Sequence, residues 1–150
     1  MKNIFEPEIT EGVISRINKL KPETQRNWGK MTVSQMLAHC CVPYEMVYDN
    51  IHPIAGELKT FFMKLLIKNT VVGTKPYKHN SPTAPAFYIK DERDFEKEKG
   101  RLVTYLKKTQ ELGSDYFDGK KSNSFGKLTD SEWNVLFYKH IDHHLTQFGV

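Results

Sequence analysis

Three of the chain's 6 histidines fall within the run KHIDHHLTQFG near its end, as His140, His143 and His144. A spacing of four puts His140 and His144 one turn apart on the same side of a helix. Two imidazoles so placed can share one metal ion, at Zn–N distances of ~2.0–2.1 Å. That chemistry requires the helix, and the flanking residues predict one. Thr129 and Glu132 have the spacing of a capping box, and Asp130 and Glu132 put negative charge at the positive end of the helix dipole. Gly149 is a stop signal. On a wheel counted from Trp133, Leu136, Phe137, Ile141 and Phe148 form one apolar face. His140 (about 340°) and His144 (about 20°) lie near its centre, and His143 (about 280°) lies at its margin. A buried polar ring costs free energy unless it is paired. One carbonyl can satisfy a lone histidine. Two inward rings side by side are better explained by a shared ion.

A third ligand must come from His39, His52, His79 or a nearby cysteine or carboxylate. His52 immediately precedes Pro53, and His79 lies in a proline-rich connection. His39 alone sits in a helical pattern, which opens at Thr32 or Ser34 and carries Val33, Met36, Leu37, Cys40, Tyr44, Val47 and Tyr48 as its stripe. It lies on the flank of that stripe, and helix-borne ligands are held better than loop-borne ones, so His39 ranks first. Pro43 predicts a kink and frees the carbonyl of His39. His143 and Gln147 are placed as outer partners of the ligands, with His143 also a possible alternative ligand. Cys40 is not expected to pair with His39 as a nucleophile, because helical neighbours point about 100° apart. Trp28, Trp133 and Phe137 are assigned to the core, and Asp142 to solvent. No residue is singled out as catalytic.

The rest of the chain must position these groups. Helices are predicted from about Glu8 to Lys21, from about Ala55 to Asn69, and from an Asp91 cap, with Asp94 at its third position, to Gly113. Residues 71–90 hold Pro76, Pro82 and Pro85 and form a long connection, either a lid or a strap over one bundle face. These patterns make one all-α domain over residues 1–150: a bundle of four long helices, a short inserted helix and the long loop. Net charge is +4, but lysines and arginines are interleaved with acidic residues, so no nucleic-acid stripe is expected. The longest apolar clusters are broken by Lys64 and Lys68, which excludes a membrane span. MKNIFEPEITEG lacks an apolar signal core, and Cys40 and Cys41 are adjacent, so no disulfide framework is expected. A cytoplasmic location is the expectation.

The run WGKMTVSQMLAH (Trp28 to His39), followed by H-x-x-H-H-x-x-Q-F-G in the last helix, resembles the DinB-like (YfiT-like) superfamily of metalloenzymes. The likeness covers the whole chain in helix order. Its most specific part, SFGKLTDSEWNVLFYKHIDHHLTQFG, is similar to a branch without assigned function. The resemblance implies an up-down four-helix bundle and a homodimer. It also implies a divalent metal, zinc or nickel, held by His39, His140 and His144. The activity it implies is metal-dependent transfer or isomerisation with a low-molecular-weight thiol, acting on a small electrophile. A hydrolase using metal-bound hydroxide and a non-catalytic, metal-stabilised dimeric module are the alternatives. Three ligand nitrogens on one ion should stand about 3–3.5 Å apart.

Overall fold

The computed structural model describes residues 1–150. The chain is an all-helical bundle with one two-stranded hairpin. Its helices are α1 (Pro7–Asn18), α2 (Val33–Tyr48), α3 (Glu57–Leu66), α4 (Lys68–Val72), α5 (Phe95–Phe117) and α6 (Asp130–Gln147). A 3-10 turn covers Pro85–Phe87, and β1 (Lys121–Ser122) pairs antiparallel with β2 (Gly126–Lys127). No helix is long and apolar enough to cross a membrane.

The four long helices pack around one core. From α2, Met36, Leu37 and Cys41 are fully buried, and they meet Leu102 and Leu106 of α5 and Ile17 of α1 in the same cluster. The apolar face predicted for α6 is the buried one, with Trp133, Phe137 and Ile141 at most 2% exposed. Phe137 stacks on Tyr44 at 4.8 Å and on Trp133 at 5.3 Å between ring centres. Both reciprocal bonds of the Thr129–Glu132 capping box are present. Thr32 and Gln35 make a second box at the start of α2, so both helices that carry the expected ligands have fixed starting points. The α2 helix runs through Pro43 to Tyr48 without a break.

Several sequence expectations need correction. The first helix ends at Asn18 rather than Lys21. The inserted helix divides into α3 and α4 at Ile67, where φ widens to −119°. Asp94, not Asp91, caps α5, by accepting from the Lys97 amide at 2.7 Å. Helical turns resume beyond Gly113, which takes φ +71° inside the span, a conformation that costs glycine little. Trp28 is only partly buried and lies outside the core cluster. Asp142 keeps 43% exposure but pairs with Arg16 at 2.6 Å, tying α6 to α1.

Two ionic arrangements hold the bundle in ways the linear sequence hides. Glu45 of α2 receives Arg101 of α5, whose other nitrogen reaches Glu98 at 2.6 Å, and His52 closes on the second Glu45 oxygen at 2.7 Å. Lys139 is 5% exposed, and its ammonium donates to the carbonyls of Thr70 (2.8 Å) and Lys75 (3.3 Å) and to that of Gly73. Three donors meet three acceptors. This contact pins the chain leaving α4 onto α6.

Candidate metal centre

His39, His140 and His144 converge in the bundle interior, where α2 meets α6. Their ring centres are 4.9 Å apart for His39 and His140, 4.5 Å for His39 and His144, and 4.8 Å for His140 and His144. One ligand nitrogen from each lies within 4.8 Å of the other two, and the Nε2 atoms of His39 and His140 are 2.9 Å apart. That pair fits two ligands at ~2.0–2.1 Å from one ion, whereas the full set is more open than the 3–3.5 Å of a closed tripod. The three imidazoles form a cluster that could hold a metal ion.

The outer hydrogen bonds decide which nitrogens are free to coordinate. Nδ1–H of His39 donates to the Phe87 carbonyl at 2.9 Å; a carbonyl can only accept, so the Nε2 lone pair remains. His144 is fixed in the same sense, by Nδ1–H donating to Gln147 Oε1 at 2.8 Å. The amide orientation is set in turn, because Gln147 Nε2 donates to the Trp28 carbonyl at 2.8 Å. Two of the three rings are therefore held in the tautomer a metal requires, by the kind of outer acceptor typical of ligating histidines. The donor set fits a divalent metal ion.

Burial is the main electrostatic influence. It lowers the pKa of His39 against the raising effect of the Phe87 carbonyl, and pushes that of His140 well below the usual imidazole range. His144 falls to about 3, through burial first and the nearby His39 second, despite its bond to Gln147. Neutral rings at neutral pH are what coordination needs. His39 and His144 are 4% and 8% exposed, and the His140 ring is buried with them although its residue as a whole keeps some exposure.

The remaining candidates go elsewhere. His52 is engaged by Glu45. His79 stacks on Trp28 at 3.8 Å, and His143 meets the same indole edge-on at 5.8 Å. Both line a cleft of about 220 Å³ on the flank of α6, together with Tyr77 and Lys139. His143 thus stands beside His144, with ring centres 5.0 Å apart, and outside the triad. Cys40 and Cys41 are buried, and burial pushes the Cys40 thiol well up and that of Cys41 to about 12, which disfavours the thiolate a nucleophile needs. The 71–90 connection is a packed strap: its Phe87 supplies the carbonyl for His39 and lays its ring against His39 and His140, at 5.3 and 5.7 Å.

Sequence reasoning missed the Phe87 carbonyl, because a backbone acceptor carries no residue signature. It also missed Gly29. That residue sits at φ +84°, and a Cβ there would stand 2.4 Å from Gln147 Nε2. Gly29→Ala is therefore expected to displace the amide that orients His144 and to weaken metal binding about 10–100-fold, the usual effect of losing an outer partner. Competitive chelator titration measures this. Unchanged affinity would show that His144 needs no such support.

Comparison with curated proteins and with solved structures returns no match. Residues 7–149, which include all three histidines, match the family described as protein of unknown function (DUF1569). On that coverage the chain belongs to the DUF1569 family.

Proposed function

We propose that His39, His140 and His144 hold a divalent zinc or nickel ion, and that the protein transfers a low-molecular-weight thiol to a small electrophile. The observation that carries this reading is the pair of outer bonds, His39 to Phe87 and His144 to Gln147, which leave two Nε2 lone pairs for one ion. The DinB-like resemblance of the helix-borne histidines supplies the reaction class. A divalent ion bound by three neutral imidazoles supplies Lewis acidity, and brings a thiol or water ligand toward ionisation near neutral pH.

The chain's own residues then have defined tasks. Gln147 and the Phe87 carbonyl hold two of the rings in register. The Phe87 ring covers His39 and His140, limits water at the cluster and so strengthens electrostatic interactions there. Hydrolysis is the weaker reading because the hydrogen-bond partners of the three rings are one another, a backbone carbonyl and an amide, with no carboxylate to serve as general base.

The test is thiol consumption by zinc- or nickel-loaded protein, using cysteine-based small thiols with alkyl halides, epoxides and quinones. Metal-dependent turnover that disappears in His144→Ala is the expected result. Metal-loaded protein that consumes no thiol across the panel, yet cleaves esters or amides, would replace transfer with hydrolysis.

A further inference from the structure

The α3 helix presents its apolar side to solvent. Leu58, Phe61, Phe62, Leu65 and Leu66 are 51–73% exposed, and no residue of α3 is buried. On a helical wheel these five share one face about 140° wide. Met63 and Thr60 lie opposite; Met63 packs on the core, and the Thr60 hydroxyl bonds the Ala55 carbonyl. A helix this amphipathic normally buries its apolar side. Monomeric proteins rarely leave so much contiguous apolar surface open.

We infer that this face of α3 is a two-fold interface with a second copy of the chain. Three observations select that occupant. The first is charge. The basic side chains next to the face are turned back onto the protein: Lys68 pairs with Glu132 at 2.6 Å, and Lys64 leans against the hairpin at Gly126. Lys59 lines the groove as its one charged residue, and a single lysine falls far short of the basic face by which an amphipathic helix holds an anionic lipid surface.

The second is shape. Leu58, Phe62, Met63, Leu66 and Ile67 line a groove of about 370 Å³, and Phe61 stands outside that lining. In an isologous contact residue i of one copy meets j of the other and the reverse, so each Phe61 can enter the other copy's groove. The third is area. Side chains exposed to this extent offer on the order of 100 Å² each, about 600 Å² for α3 with Ile67. Ile51 and Ile54, 64% and 75% exposed in the segment leading into α3, extend the apolar offer. The total approaches the ~800 Å² per partner of a standard interface.

Sedimentation velocity on the full chain tests this. The expected result is a species near twice 17.5 kDa at micromolar concentration. Phe62→Glu with Leu65→Glu should convert it to monomer, with at least a hundredfold rise in the dissociation constant and an unchanged helical spectrum, since neither side chain supports the core. Leu65→Cys should give a disulfide-linked dimer under oxidation, the native cysteines being buried. A wild-type chain still monomeric at about 100 µM, a hundredfold above the concentration at which the dimer is expected, would overturn the inference. So would a monomer that co-sediments with anionic vesicles, which would assign the face to lipid. A dimer that survives the double substitution would place the interface elsewhere and overturn it equally.

Discussion

His144→Ala is expected to lower affinity for zinc or nickel by more than about a hundredfold, beyond the effect of losing an outer partner. His39→Ala and His140→Ala should do the same, because each removes one of three donors and the other two cannot close a tripod alone. His143→Ala is the control. It lies one residue from His144 and three from His140, yet its ring contacts Trp28 and Tyr77, so metal content should be retained. A competing arrangement makes the test discriminating. If His140 Nε2–H simply donates to His39 Nε2, the 2.9 Å contact is a hydrogen bond within a structural polar cluster. In that case wild type and triple alanine variant would purify with the same metal content. Thermal melts give a second readout, because a ligand of the folded state alone stabilises it by about 2.7 kcal/mol at a hundredfold excess over Kd. Added metal should therefore raise the melting temperature of wild type and His143→Ala and leave the triad variants unmoved.

The sequence made different parts of this molecule legible to different degrees, and the differences have physical causes. The last helix was readable because its information is local: the Thr129–Glu132 box, the apolar periodicity and the two histidines within that periodicity all lie in one stretch. His39 was harder. It sits on the flank of its own stripe, and what buries it is Phe87, a strap residue 48 positions away whose relevant group is a carbonyl. Lys139 carries no local signal of burial, because the carbonyls that hold its ammonium come from the chain leaving α4. The Glu45–Arg101–Glu98 network likewise joins α2 to α5 and exists only once those helices pack. At α3 the sequence predicts a helix rich in large apolar side chains, but composition specifies amphipathicity and not which side meets the bundle.

The second large effect expected is a steep acid destabilisation of metal-free protein. The folded-state pKa values of His39, His140 and His144 all lie below the unfolded imidazole value, chiefly through burial. The unfolded chain therefore takes up more protons than the folded one once pH falls below ~6.5. Stability rises with pH wherever the unfolded state binds more protons, so here it is complete above that value and lost as pH falls toward the folded-state pKa of each ring. Each site contributes up to about 1.4 kcal/mol per pH unit, so His140 and His144 together give up to about 3 kcal/mol per unit, with a smaller share from His39. Domains of this size have only about 5–15 kcal/mol in total, so a fall from pH 6.5 to 5 should remove a large fraction of it. Urea midpoints of chelator-treated protein across that range measure the slope. His144→Gln keeps a polar side chain but cannot titrate, and should flatten the slope by about one proton. Metal-loaded wild type should hold its midpoint to lower pH than the metal-free form, because an ion on the Nε2 lone pairs excludes protons until they displace it. A metal-free midpoint that stays level between pH 7.5 and 5 would mean that the three rings are solvated in solution, and would remove the electrostatic basis of the site along with the acid sensitivity.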